Sequence, residues 1–220
     1  MSFLATPKLS NEAAGAILVD GASAAFDDLC QERIWQLANS LRDFPGVSET
    51  VPGMNNLMVV FDPLATDAAL LEKEILRQWR DDAVAAAPGK SHDVPVRYGG
   101  EGSDLAELAQ AKGMTISQLV ELHTRPLYSV AAVGAMPGFV YLSGLDASLA
   151  APRRVSPRAR VAAGSVMIGG AQTGIMPITA PSGWHILGHT ALSLFDPHRE
   201  RPAYFSAGDR IRFVPVEVME

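Results

Sequence analysis

One cysteine, Cys30, stands among 220 residues, so the chain has no internal disulfide framework. Such cysteine usage fits a reducing compartment. No apolar run approaches the roughly 20 residues of a membrane span. The start, MSFLATPKLS, lacks the basic-then-apolar order of a signal peptide. The expectation is a soluble cytoplasmic chain without a membrane partner. Basic residues are also in deficit: 18 Lys and Arg face 24 Asp and Glu, a net charge of −6. Neither half of the chain is basic enough for a nucleic-acid footprint.

The deficit is local. Residues 1–98 carry 8 basic and 14 acidic residues, whereas residues 99–220 carry 10 of each. Glycine runs the other way, with 14 of the 19 in the second part. A shift in both points to two domains that meet between about residues 88 and 99. AAAPGKSHD, Ala85 to Asp93, is the natural link. The expected domains are 1–90 and 91–220. A chain of this length buries about two-thirds of its unfolded surface and needs no staples.

In the first part, AAGAILVD (Ala13–Asp20) reads as a strand. A helix follows, with Ser23 as its cap and Phe26, Leu29, Ile34, Leu37 and Leu41 on one face; Pro45-Gly46 stops it. VSETVPG and NLMVVFDP read as a hairpin around the turn PGMNN. A second helix is capped by Thr66 and runs through Leu70, Leu71, Ile75 and Trp79 to Ala87. HDVPVRY is placed as the returning strand. This β-α-β-β-α-β order is that of a ferredoxin-like α/β domain. No catalytic cluster appears in it.

The second part opens with two short helices. Ser103 caps the first and Gly113 ends it; Thr115 and Gln118 have capping-box spacing at the head of the second. Short apolar runs between Gly and Pro turns follow: LYSVAAVG, GFVYLSG, GSVMIGG, TGIMPIT, GWHILG, ALSLFDP and DRIRFVPV. This spacing predicts a β-barrel or sandwich, and the class of the whole chain is α+β.

What this part lacks restricts its chemistry. Gly169, Gly170 and Gly174 are not followed by Gly-Lys-Ser/Thr, so GGAQTG is no P-loop. His185 and His189 sit four apart, but Gly188 and a strand-like run between them argue against a shared metal. Ser165 is not in a Gly-x-Ser-x-Gly elbow. Cys30 lies mid-helix and reads as core. Between Asp146 and Asp196 there is no acidic residue, yet APRRVSPRAR gathers Arg153, Arg154, Arg158 and Arg160 between stiffening prolines. Either these arginines form an anion-binding patch, or each pairs with a carboxylate distant in sequence.

Several stretches taken together carry a resemblance. They are YGGEGSDL, ELHTRPLY, MPGFVYLSGLD, APRRVSPRARVAAGSVMIGGAQTGI, GWHILGHT and FDP…GDRIRFVPV, in this order from Tyr98 to Val216. They resemble the KipI / allophanate hydrolase subunit 1 family, which includes the B-type subunits of bacterial 5-oxoprolinase. The resemblance implies a cyclophilin-like barrel for the second domain. It implies a sister partner of the allophanate hydrolase subunit 2 type and a third subunit. It also implies an ATP-dependent hydrolase complex that opens a lactam or other small amide. Carboxyltransferase components of urea-carboxylase-type enzymes and an inhibitor of a sensor histidine kinase are the alternatives within the same family. The sequence departs from the family pattern at Met136, Met176, Ser182 and His189, where a small residue, tyrosine, glycine and arginine are usual.

Phosphorylating a lactam oxygen needs cations near phosphoryl oxygens and N–H donors near the carbonyl. On that reading Arg153, Arg154 and Arg158 are the candidate anion contacts. The Gly169–Gly174 segment, Gly170 included, offers backbone N–H groups, and Gln172 and Thr173 position an amide. His123 and His189 are the candidate proton carriers. His123 also has a plainer reading, as a helix-end residue favoured by the dipole. No metal is expected on this chain, ATP is expected at a site involving the partners, and the active site is expected to be shared with a partner.

Overall fold

The acidic first part folds around a four-stranded sheet, and the glycine-rich second part closes a barrel. The computed structural model describes residues 3–23, 26–80 and 89–219. The chain divides into two compact units, Met1–Pro88 and Gly89–Glu220. This is the α+β organisation expected, an α/β unit followed by a barrel.

The first unit contains β1 (Phe3–Asn11), β2 (Ala16–Ala22), α1 (Asp28–Leu41), β3 (Val47–Pro52), β4 (Asn56–Phe61) and α2 (Ala68–Arg80). The sheet order is β1-β2-β4-β3, with every neighbouring pair antiparallel. The run from β2 to α2 is the expected β-α-β-β-α. The closing strand is different. HDVPVRY belongs to the barrel, and the place beside β2 is taken by β1, from the N-terminal stretch not read as a strand. Pro7 hides β1 from a pattern reading, and an edge strand is where a proline is tolerated.

Alternation in β2 and β4 turns Ile17, Val19, Leu57, Val59 and Phe61 onto one face. There they meet Ile34, Leu37 and Leu41 of α1 and Leu71, Ile75 and Trp79 of α2. Two expected core residues fall outside this seam: Leu29 is 67% and Leu70 58% exposed. The true faces run through the neighbours Cys30 and Leu71. Burial, with Asp27 adding to it, pushes the Cys30 thiol up to about 12, so it stays protonated in the core.

Both helix starts lie later than expected. The Asp27 carboxylate accepts the Cys30 N–H at 3.0 Å, and this cap replaces Ser23. The Asp67 carboxylate accepts the Ala69 N–H at 2.8 Å, while the Thr66 hydroxyl donates to Pro45 O at 2.7 Å. Asn55 turns the β3–β4 hairpin at φ 57°. Residues 81–87 of the expected second helix, and residues 85–88 of the expected link, lie outside the described residues.

The second unit holds β5 (Ser91–Tyr98), α3 (Leu105–Ala111), α4 (Ile116–Thr124), β6 (Tyr128–Val133), β7 (Val140–Ser143), β8 (Arg158–Val161), β9 (Ser165–Gly169), β10 (Gln172–Ile175), β11 (Ala180–Ser182), β12 (His185–His189) and β13 (Arg210–Val218). Seven strands close the barrel in the order β10-β7-β6-β13-β5-β12-β9, and β8 with β11 forms a separate ribbon. The barrel closes where its first and last strands meet: β5 runs parallel to β13, from Ser91 beside Arg210 to Tyr98 beside Val218. ALSLFDP is not a strand; it makes one isolated bridge, Phe195 with Ala203.

Val94, Val96, Tyr98, Val166, Ile168, Ile211 and Phe213 fill one core with Leu105 and Leu108 of α3 and Leu119 and Val120 of α4. The capping box of α4 forms as its spacing predicts, through Thr115 and Gln118. β9 is buried on both faces. Its inner face is the core just described, and its outer face lies under a second cluster of Phe139, Val161, Met167, Met176 and Trp184.

Candidate functional site

Three arrangements in the barrel unit carry the residues with chemistry. The first is a chain of hydrogen bonds inside the core. His123 sits in the last turn of α4 and has no exposed surface. The Thr173 hydroxyl donates to Met167 O at 2.9 Å, so its oxygen accepts from His123 Nε2–H, also at 2.9 Å. Nδ1 is then the acceptor for the Tyr98 hydroxyl at 2.7 Å. The bonds all run one way and assign the Nε2–H tautomer. Tyr128 donates to the His123 carbonyl at 2.7 Å, and Phe213 stacks on the ring at 4.7 Å. Burial pushes the imidazole down to about 3, so it is neutral near pH 7. A neutral ring gains nothing from a helix dipole, so the helix-end reading fails. His123 and Thr173 are brought together, but as enclosed groups whose polar atoms are all engaged.

The second arrangement is a charge node on the surface of the barrel. Asp104 precedes α3 and is 2% exposed. Its carboxylate accepts Arg158 Nη1 and Nη2 at 2.8 Å each, Arg154 Nη1 at 2.7 Å and the Ile186 N–H at 2.7 Å. Burial alone would raise its pKa. The hydrogen bonds from Arg158 and Ile186, with the charges of Arg158 and Arg154, outweigh burial and hold the carboxyl below its ordinary value. Of the two readings open for the arginine loop, distant carboxylate pairing therefore holds for Arg154 and Arg158. Arg153 and Arg160 are exposed.

Beside the node is a groove of about 400 Å³, lined by Glu107, Leu108, Ala111, Arg154, Val155, Ser156 and His185. The His185 Nε2–H donates to Pro152 O at 2.8 Å and ties the loop to β12. His189 is exposed at the end of β12 and donates to Ala163 O at 2.8 Å. The two histidines make separate contacts. Among the described residues no group of three or more His, Cys, Asp or Glu is placed to hold a metal ion.

The third arrangement explains the glycines. A Cβ on Gly169 would meet the Trp184 ring at 2.5 Å, and one on Gly174 would meet Val140 O at 2.7 Å and Trp184 at 3.2 Å. The bare backbone of β9 and β10 is a shelf on which the indole lies. Phe139 meets Trp184 edge-on at 5.6 Å and Tyr141 at 4.9 Å. Met136 and Met176, two of the departures from the family pattern, pack into this cluster. Ser182, a third, accepts the Trp184 N–H at 3.2 Å. The Gly169–Gly174 segment does not form an open cradle: the Gly170 N–H is donated to Ala151 O at 2.7 Å, and β10 is paired with β7 and β9. Gln172 opens β10, half-buried.

Asp104 does not stand out in the sequence as the partner of these arginines, because SDL reads as a helix start. The signal for it was the arginine loop itself, which has no acidic neighbour in sequence and needs one from elsewhere.

Residues 7–205 match the family model described as carboxyltransferase domain, subdomain C and D. The chain belongs to this family. It is 47% identical over 190 residues to the B subunit of 5-oxoprolinase from Escherichia coli O157:H7, covering 84% of this chain and 85% of that one. The crystal structure of TTHA0988 superposes with a TM-score of 0.80 at 33% identity over 92% of this chain. This chain spans 40% of the length of TTHA0988. The urea amidolyase of K. lactis gives a TM-score of 0.78 at 17% identity, over 97% of this chain and 15% of that chain, which is a likeness of fold. The resemblance to the KipI / allophanate hydrolase subunit 1 family, in its 5-oxoprolinase branch, is thus borne out. No helix among the described residues is long and apolar enough to cross a membrane.

Proposed function

We propose that this chain is the B-type component of a heteromeric 5-oxoprolinase, which opens the lactam of 5-oxoproline to glutamate with consumption of ATP. The observation that carries this reading is the 47% identity to the 5-oxoprolinase B subunit across 84% of the chain. Its partners are a sister barrel protein of the allophanate hydrolase subunit 2 type and a third subunit. The likeness to urea amidolyase lies at 17% identity and bears on fold alone.

The chain's own residues set its share of the work. A triphosphate cradle does not fit the Gly169–Gly174 segment, since the Gly170 N–H is already bonded and Trp184 covers the shelf. No ATP step is assigned to this chain. The Asp104 node fixes Arg154 in the lining of a groove, an arrangement suited to holding an anionic group in place.

Co-expression with its two partners tests the reading. Glutamate should appear from 5-oxoproline only with ATP and only in the mixture. A mixture that assembles but leaves 5-oxoproline untouched overturns it. Robust lactam opening by this chain alone overturns the division of labour.

A further inference from the structure

Arg154 is held by Nη1 and has no hydrogen-bond partner along its Nε–Nη2 edge. Nη1 is spent on Asp104 Oδ1 at 2.7 Å. Nε is buried and has no hydrogen-bond partner. The Asp104 bond is the one side-chain hydrogen bond Arg154 makes among the described residues. Its backbone is pinned as well, through the Arg154 N–H to Gly183 O at 2.7 Å. A guanidinium does not lose its proton, so the Nε–H is a permanent donor without an acceptor. Such a group is costly to leave buried.

The unpartnered edge is the useful one. Nε–H and the outer Nη2–H are parallel donors, the fork that matches the two oxygens of a carboxylate. Arg154 lines the groove of about 400 Å³. Small-molecule pockets run from about 300 to 1,000 Å³, so the groove is of a size for a small ligand. Leu108, Ala111 and Val155 give it apolar surface for ring carbons. His185 spends its Nε2–H on Pro152 O, which leaves Nδ1 as the ring nitrogen that can meet a ligand. Glu107 on the same lining opposes a second carboxylate. The side chain of Arg154 is 29% exposed while Nε itself is covered, so a carboxylate that takes both donors must displace the groups over Nε.

We infer that this groove binds a small cyclic amide monocarboxylate, with the Nε–Nη2 edge of Arg154 taking the carboxylate. The lactam half of this assignment rests on the 5-oxoprolinase reading; the carboxylate half rests on the geometry of Arg154.

The test is titration of the isotope-labelled full chain with 5-oxoproline and with 2-pyrrolidinone, the same lactam without its carboxylate. 5-Oxoproline should shift the amide signals of Leu108, Ala111, Val155 and Ser156, and 2-pyrrolidinone should bind at least about tenfold more weakly, the loss of a charged hydrogen bond. Arg154→Lys keeps a cation for Asp104 and removes the fork. It should weaken 5-oxoproline binding about tenfold and raise KM of the assembled complex by a similar factor. Equal binding of the two lactams, shifts confined to another surface, or an Arg154→Lys chain that binds normally overturns the proposal. The ligand comparison uses the unaltered chain and stands whether or not the variant folds. A complex that turns over 5-oxoproline with unchanged KM in Arg154→Lys removes the groove and keeps the 5-oxoprolinase reading. A complex that binds 5-oxoproline at the groove without turnover removes that reading and keeps the carboxylate site.

Discussion

Arg158 meets Asp104 with both terminal nitrogens, Nη1 on Oδ2 and Nη2 on Oδ1, each at 2.8 Å. The pair is bidentate, and its acid is 2% exposed. It joins the start of α3 to the first residue of β8, and the Ile186 N–H adds β12 to the same carboxylate. One side chain thus locks three elements around the groove.

Replacing that acid should cost both stability and order at the loop. Asp104→Ala leaves two arginines without their acceptor. Their side chains are 29% and 27% exposed, so water can reach them in part, and the loss should lie at the low end for a broken buried pair, about 3 kcal/mol. Chemical denaturation measures it, and a change within about 0.5 kcal/mol, the usual range for surface substitutions, would remove Asp104 from the scaffold. The folded-state pKa of Asp104 is depressed. Its stabilising contribution is therefore present above the ordinary carboxyl value of 3.8 and is lost as pH falls through the lower folded value.

Gly169→Ala tests the shelf under Trp184. The added methyl would stand 2.5 Å from the indole, which is a rigid ring held by Phe139 and Met167 rather than a flexible tip. Overpacking of this kind costs about 1–3 kcal/mol. The near-ultraviolet circular dichroism of tryptophan should change along with the melting temperature. An alanine variant with both unchanged would show that the indole has room to move.

The parts of the fold that could be read from the sequence are those set by local rules. The α4 capping box, the Asn55 turn and the alternating β2 and β4 each depend on residues a few positions apart. What escaped depended on distant partners. β5 looked like the closing strand of the first sheet because VPVRY has no feature that says which sheet it joins; pairing with β13, at the far end of the chain, decides it. β1 was hidden by Pro7, and the start of α1 by the fact that Asp27 is as good a cap as Ser23. At the site, the arginine loop could be read and its acid could not, since Asp104 is 50 residues from Arg154. His123 looked like a helix-end residue until Tyr98 and Thr173 closed around it.

The placement of β5 gives a prediction about folding units. We propose that residues 89–220 fold by themselves. Residues 99–220, the part that composition alone would cut out, lack β5 and should not. Without β5, β13 and β12 face each other across a gap, and their N–H and C=O groups lose a shared ladder. Val94, Val96 and Tyr98 also leave the core. Circular dichroism and amide dispersion of the two fragments decide it, and a well-dispersed 99–220 spectrum would refute the role given to β5.

The interior histidine makes the stability of the chain depend on pH in a window of its own. In the unfolded chain His123 titrates near 6.5; in the folded chain burial pushes it down to about 3. Between these values the unfolded state binds the extra proton, so stability falls as pH falls, by up to about 1.4 kcal/mol per pH unit. The Asp104 contribution is lost only below 3.8 and that of Glu74, held down by its hydrogen bond from Arg77, below 4.5, so the interval from about pH 6.5 down to about 5 isolates the histidine. His123→Gln should be less stable at pH 7 and lose less stability per unit on acidification. Thr173→Val tests the same chain from the other end. Valine keeps the volume but leaves the His123 Nε2–H buried without an acceptor, at a cost of about 1–3 kcal/mol. Thr173→Ser keeps the hydroxyl and should recover most of that loss. The nitrogen chemical shifts of the wild-type imidazole should show the proton on Nε2 at pH 7 and at pH 5. A ring that titrates between those two values would mean that water reaches His123, and the enclosed chain through Tyr98 and Thr173 would have to be abandoned.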